Sequence, residues 1–389
     1  MTLGLADALD RLGTETAFSV LARAKALERE GRDIVHLEIG EPDFDTAPHV
    51  IDAAAAAMRA GMTHYCPAPG LDEFRESIAR YITRTRGVEV DARNCLVATG
   101  AKPFLFFTVL ACCNPGDEVI YPDPGFPIYE SAIRWAGAVP VPLELREDEG
   151  FSLDPDRLAS LLSPRTKLVI LNYPQNPTGG ALDRATVEAV AAILERSQAW
   201  VLADEIYSQL QYDTPFASVT EFASLLDRTL VLDGLSKTYA MTGWRCGFAA
   251  VPPALVEPLV RFFINSTSCV PPFVQLAGLA ALEGPQDGVA SMIEEFLRRR
   301  RIVVDGLNAL PGVRCLEPAG AFYAFPNVEG VPLPGDVLAQ RLLDEAGVAT
   351  LSGSAFGRYG EGYLRISYAN SEANLREALR RIGDFLAGL

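Results

Sequence analysis

The chain has 389 residues, 49% hydrophobic and 22% charged, with glycine and proline spread along its length. This is the profile of a folded globular protein with room for two or three domains or one large α/β unit, and it excludes a disordered chain. The formal net charge of −16 argues against a nucleic-acid partner, which needs a concentrated basic surface, so any anion must be held by a local site.

The first stretch, MTLGLADALDRLGTETAF, carries acidic residues early and no basic start followed by an apolar run. It does not read as a secretion signal, and a cytoplasmic protein is expected. A helix is expected over 14–30. From residue 94 onward, short strand-like runs alternate with helical patterns: NCLVAT then 102–113, DEVIY then 126–136, AVPVPL then 155–163. TKLVIL follows, with a helix near 183–197, then AWVLAD and TLVLDG. The apolar run 103–113 stops at Asn114-Pro115-Gly116, well short of the roughly 20 residues a membrane helix needs. The alternation predicts βαβ units and an α/β fold, a mainly parallel, doubly wound sheet covered by helices on both faces.

Beyond Gly284-Pro285 the pattern changes to a charged helix around 289–310 and the strand-like segments GAFYAF and YLRISY. A large domain over 46–285 is expected, with a smaller α+β domain formed by 1–45 and 286–389. The seven cysteines show no CxxC spacing and sit mostly in apolar runs, as reduced core cysteines do.

The chemistry is approached by elimination. There is no GxxxxGK[ST], no GxGxxG after a strand and no HExxH, and the three histidines (His36, His49, His64) are too scattered for a metal cluster. Lysine is scarce: Lys25, Lys102, Lys167 and Lys237 are the only four. Lys25 fits a solvated helix face, and Lys167 fits the entrance of a strand. Lys102 opens a helix after Gly100-Ala101, where structural and functional readings are both open. Lys237 follows the apolar run TLVLDG, where a solvated surface role is hard to argue.

A partly desolvated lysine at a strand end has a lowered pKa and can attack an aldehyde to form an imine, as enzymes using pyridoxal 5′-phosphate (PLP) require. Such a cofactor needs donors for its phosphate. The helix start at Gly100-Ala101-Lys102, the hydroxyl of Ser236 and the guanidinium of Arg245 are candidates. It also needs a carboxylate for its pyridine nitrogen, and Asp204, closing AWVLAD, is placed for that.

At this point the chain resembles the class I/II aminotransferases, the fold type I PLP enzymes, over nearly its whole length. The segments that carry the resemblance, in family order, are IGEPDF (39–44), HYCPAPGLDEFRESI (64–78), ATGAKPFL (98–105) and PDPGFPIY (122–129). NYPQNPTGG (172–180), ADEIY (203–207), SKTYAMTGWRCG (236–247) and LRIS (364–367) follow. The resemblance implies a Schiff base on Lys237, which also serves as general acid/base, with Asp204 partnering the pyridine nitrogen. Asn176 and Tyr207 would hydrogen-bond the cofactor's phenolic oxygen, and Phe126 would stack on its ring. Gly100, Ala101, Lys102, Ser236 and Arg245 would form the phosphate cup. Tyr65 would reach the phosphate of a neighbouring subunit, implying a homodimer with shared active sites. Arg365 would clamp the substrate α-carboxylate, with the backbone of Gly40 nearby.

The implied reaction moves an amino group between an L-amino acid and a 2-oxo acid by ping-pong kinetics. The same cofactor residues would also serve a lyase, a β/γ-replacement enzyme or a carbon–carbon bond-forming enzyme. Dicarboxylic substrates need a second cation, often from the region of INSTSCVPPF (264–273), yet no basic residue lies between Arg261 and Arg298. A neutral, apolar or aromatic donor is therefore expected, with Lys102 or a remote arginine as the only evident substitutes.

Overall fold

The structure, a computed structural model, describes residues 4–389; the first three residues of the expected N-terminal arm lie outside the described residues. Its strands are β1 (Val35–His36), β2 (Cys95–Ala98), β3 (Glu118–Asp123), β4 (Val139–Glu144), β5 (Thr166–Asn172) and β6 (Trp200–Asp204). They continue with β7 (Thr229–Gly234), β8 (Gly247–Ala250), β9 (Tyr323–Ala324), β10 (Val348–Ala349), β11 (Leu351–Ser352) and β12 (Leu364–Ser367). Seven of them form the central sheet in the order β2-β8-β7-β6-β5-β3-β4.

The sheet is doubly wound because its central strands are apolar on both faces, so each face must be covered. In β5, Leu168 and Ile170 pack against one helical layer while Val169 and Leu171 pack against the other. In β2, Leu96 and Ala98 face the first layer, and Cys95 and Val97 face a third cluster on the opposite side. Period-2 alternation thus feeds two cores from one strand. The first layer includes Lys102–Cys112, Ile128–Trp135 and Pro253–Ser266. Arg184–Glu195 lies opposite, with Asp72–Arg86 and Pro272–Glu283 further along the same face.

One strand of this sheet was not foreseen. β8 runs antiparallel to both β2 and β7 in an otherwise parallel sheet. Its sequence, GFAA, lacks the β-branched residues that mark strands. The small residues have a packing reason: a Cβ on Gly247 would lie 2.5 Å from the Gly100 carbonyl carbon and 2.6 Å from the Ala101 nitrogen.

The C-terminal part has its own core, where Phe296 of helix Asp287–Asn308, Phe322 and Tyr368 pack together. β9, β11 and β12 form its antiparallel sheet. β1, from the N-terminal segment, pairs in parallel with β10, so Val35 lies opposite Val348. The helix expected over 14–30 spans Thr16–Arg29.

Candidate active site

Parallel strands bring their carboxyl ends to one edge, and it is there that chemistry-bearing side chains gather. Asn172 closes β5 and lies in register with Asp204, which closes β6. Gly234 closes β7 and leads into the short helix Leu235–Thr238, which carries Ser236 and Lys237. β2 ends at Ala98, just before helix Lys102–Cys112. The reversed direction of β8 starts it at this same edge, since Gly247 faces both Ala98 and Gly234. Arg245, two residues earlier, is thereby delivered beside Gly100. A Cβ on Gly100, whose φ is +87°, would lie 2.3 Å from Arg245 Nη2.

A cavity of about 530 Å³ opens at this edge. Of the residues singled out from the sequence, Lys237, Asp204, Tyr207, Asn176, Phe126, Ser236, Arg245, Ala101, Lys102, Gly40 and Arg365 all line it. Gly100 lies just behind, against Arg245. Tyr65 does not line it and is 89% exposed. The remaining lysines are elsewhere: Lys25 pairs with Glu28 on an exposed helix face, and Lys167 is exposed.

The Lys237 ammonium donates to the Gly40 carbonyl. Burial holds its pKa down to about 8; Arg365 and Lys102 push the same way, against Glu41 and Glu15. About a tenth of Lys237 is therefore free amine at pH 7, against less than about a thousandth for an ordinary lysine. Gly40 is a glycine for a steric reason, since a Cβ there would lie 2.1 Å from the Tyr323 hydroxyl. Tyr323 in turn shares a hydrogen bond of 2.7 Å with the Tyr207 hydroxyl.

Asp204 is buried, and burial raises its pKa to about 6. The Tyr129 hydroxyl donates to its Oδ2 at 2.7 Å and the Ile206 N–H to its Oδ1 at 3.4 Å, both resisting that rise. Among the described residues its partners are thus neutral donors and no cation. A buried carboxylate facing a cavity with no cation of its own is matched to a protonated ring nitrogen. Behind it lies the buried Arg86, whose Nε donates to Glu205 Oε2 at 2.9 Å and whose Nη2 donates to Asp233 Oδ2 at 2.5 Å and to Ser208 Oγ at 2.8 Å.

The opposite end of the cavity suits a phosphate. Helix Lys102–Cys112 begins there with no side chain capping its first turn. Its leading N–H groups and positive dipole end face the opening, with the Ser236 hydroxyl and the Arg245 guanidinium beside them. An amine, an uncompensated carboxylate and an anion cradle in one cavity fit PLP.

Arg365, in β12, is buried between the rings of Tyr323 and Phe356, 4.7 and 5.0 Å from their centroids. Its Nη2 donates to the Glu38 carbonyl and its Nη1 to Asn176 Oδ1 at 3.4 Å. Its Nε has no partner among the described residues. A buried guanidinium with a spare donor and no carboxylate is prepared for a ligand carboxylate. The Lys102 ammonium lies near the rings of Phe126 and Phe18 and pairs with Glu15.

Tyr129, Tyr323, Glu15 and Phe18 also line the cavity, and the sequence reading missed all four. Tyr129 is the last residue of PDPGFPIY, one helical turn past Phe126, and that i,i+3 spacing was the available signal. Tyr323 lies in GAFYAF, read only as a strand. Glu15 and Phe18 belong to a helix read only as part of a smaller domain, and nothing local in their sequence points to the cavity.

Residues 32–382 match the family model described as aminotransferase class I and II. Among solved structures, the aspartate aminotransferase from Rhizobium meliloti superposes with a TM-score of 0.94 at 38% identity, covering 99% of each chain. The aromatic aminotransferase from Pyrococcus horikoshii superposes with a TM-score of 0.89 at 36% identity, over 94% of this chain and 99% of that one. An arginine–pyruvate transaminase of Pseudomonas aeruginosa is 38% identical over 94% of this chain and 93% of its own. These relatives do not favour the lyase and replacement alternatives. The chain belongs to the class I and II aminotransferases, PLP-dependent enzymes that transfer an amino group between an amino acid and a 2-oxo acid.

Proposed function

We propose that Lys237 is the lysine that holds the cofactor and moves the proton at the substrate Cα, in transamination of a neutral, apolar or aromatic L-amino acid. The observation that carries this reading is that Lys237, Asp204 and Arg365 line one cavity, each buried in the way its role requires.

PLP supplies the electron sink that makes the Cα proton removable. The residues do the rest. Arg365 binds the α-carboxylate and so fixes which Cα bond faces Lys237. Lys237, with its amine at about 8, accepts a proton and returns it near neutral pH. Asp204 would hold a proton on the ring nitrogen, and Phe126 would supply an apolar face for the ring. Asn176 and Tyr207 bond the phenolic oxygen. Gly100, Ala101, Lys102, Ser236 and Arg245 hold the phosphate, Lys102 through its backbone N–H, while Gly40 closes the substrate side. Amino-acid and oxo-acid half-reactions share these groups, so kinetics are ping-pong.

The donor class is supported by the lack of a basic residue between Arg261 and Arg298 and by the apolar wall of Phe18, Leu21 and Phe126. The named relatives handle aspartate, arginine or aromatic amino acids, so family membership leaves the donor open. We further propose a homodimer in which Tyr65 reaches the phosphate of a neighbouring subunit; its full exposure in the single chain supports this. The proposed domains are 46–285 and 1–45 with 286–389, and the proposed location is the cytoplasm. No helix among the described residues is long and apolar enough to cross a membrane.

The test is to reduce the holoenzyme with borohydride, map the pyridoxyl group by mass spectrometry, and follow the absorbance against a panel of amino acids. A label on Lys237 and spectral change with neutral or aromatic amino acids are expected. A label on another lysine would reject the central assignment.

A further inference from the structure

Four cationic side chains line the cavity: Lys237, Arg245, Arg365 and Lys102. Lys237 faces the Gly40 carbonyl, Arg245 lies against Gly100, and Arg365 sits between Tyr323 and Phe356. Lys102 alone is free of these duties, and its ammonium lies 5.6 Å from the Phe18 ring and 5.5 Å from the Phe126 ring, in the same cavity that Arg365 lines. Left unpaired, it would attract a second carboxylate on an incoming substrate. It is not unpaired, because the Glu15 carboxylate meets it.

Glu15 is the residue before helix Thr16–Arg29, at the positive end of its dipole. Here the side chain makes no capping hydrogen bond and reaches instead to Lys102, 87 positions away. The Glu15 side chain is 16% exposed and that of Lys102 44%, so the carboxylate is largely covered while the ammonium keeps an open side toward the cavity mouth and solvent. A dicarboxylic substrate would have to displace Glu15 from Lys102 and then lie beside the displaced carboxylate. A neutral side chain meets only a compensated pair and apolar rings.

We propose that Glu15 is a specificity-determining residue that masks Lys102 and thereby excludes substrates with a second carboxylate from the cavity. The inference rests on the neutral-donor reading above and adds how that selection is made. Exclusion of this kind is achieved by placing a repulsive group against the wrong ligand, not by improving contacts to the right one. Charge neutralisation at Lys102 and repulsion from Glu15 act in the same direction.

The test uses holoenzyme and two unreactive ligands, succinate and 3-phenylpropanoate, with affinities measured by calorimetry. Wild type is expected to bind 3-phenylpropanoate more tightly. Glu15→Gln, which keeps the shape and removes the charge, is expected to tighten succinate by about tenfold or more while changing 3-phenylpropanoate by less than about threefold. Retained 3-phenylpropanoate binding also shows that the variant is folded. Adding Lys102→Met to Glu15→Gln is expected to abolish the gain. An unchanged affinity ratio in Glu15→Gln, or a gain that survives Lys102→Met, overturns the mask while leaving the donor class standing. A wild type that prefers succinate overturns the donor class and the mask together.

Discussion

The Tyr129 hydroxyl donates to Asp204 Oδ2 at 2.7 Å, both groups buried, and among the described residues this is the one side-chain donor to the Asp204 carboxylate. Burial alone would favour the protonated acid, and the hydroxyl opposes it. Tyr129→Phe removes the donor without emptying the space, leaving the carboxylate short of a bond at a cost of about 1–3 kcal/mol. Asp204, at about 6 in the free protein, should then titrate higher. Cofactor affinity, which needs the ionised carboxylate, should weaken as pH falls, with its midpoint at higher pH in Tyr129→Phe than in wild type. Titrating PLP into both proteins across pH 5–8 checks this. Because ionisation of the phosphate is common to both proteins, only the difference is read, and coincident midpoints would dismiss the role of Tyr129.

Arg86 supports the same corner from behind. Its guanidinium is buried between Glu205 and Asp233, which burial holds above the ordinary carboxylate range even with the arginine present. Arg86→Met would leave two buried carboxylates without a cation, a loss of about 3–5 kcal/mol at neutral pH. The pH dependence has a definite sign. A carboxylate whose folded pKa is raised is more protonated folded than unfolded, so its folded state gains stability as pH falls and loses it as pH rises through the folded pKa. The deficit of Arg86→Met relative to wild type should therefore shrink between pH 7 and pH 5. Denaturant melts at both pH values measure it, and a deficit that grows in acid would contradict this account.

Much of this arrangement was legible in the sequence because strand ends in an α/β sheet are marked by abrupt changes of composition. TLVLDG turning into SKT, and AWVLAD turning into EIY, put Lys237 and Asp204 at the sheet edge before any coordinates. What the sequence hid is long-range. β8 lacks β-branched residues and is a strand only because β2 and β7 flank it. Arg86 carries no local mark of burial; it closes a helix that reads as amphipathic, and only the fold brings it to Glu205, 119 positions away. Glu15 and Lys102 are likewise unremarkable separately, and their pairing depends on where the N-terminal helix lies.

Lys237 itself makes a prediction about pH. Its folded pKa of about 8 lies below the usual value of 10.5, with burial the largest cause and Arg365 the next one acting downward. The free-amine fraction should rise as pH passes through about 8, well before an ordinary lysine deprotonates. Competitive labelling of the cofactor-free protein with a trace acylating reagent, quantified at Lys237 by mass spectrometry, should inflect there. Arg365→Gln removes a neighbouring cation, so the inflection should move upward. An inflection near 10.5 in wild type would mean that the amine is solvated.

Arg365 offers the sharpest separation between a binding role and a packing role. Its guanidinium is fixed between Tyr323 and Phe356 and anchored on the Glu38 carbonyl, with Nε left without a partner among the described residues. A planar fork held in this way is suited to two parallel bonds to one carboxylate, each charge-assisted bond contributing about 1.5–3 kcal/mol. Arg365→Gln should weaken an amino-acid ligand by roughly a hundredfold while barely affecting the matching amine that lacks the carboxylate. Arg365→Lys should rescue little, because a point charge on a flexible stem cannot reproduce the fork or its stacking on Tyr323. Spectral titration of the holoenzyme with phenylalanine and with phenethylamine compares the two directly. Equal loss for both ligands would assign Arg365 to packing of the cavity wall, whereas loss confined to phenylalanine assigns it to the α-carboxylate.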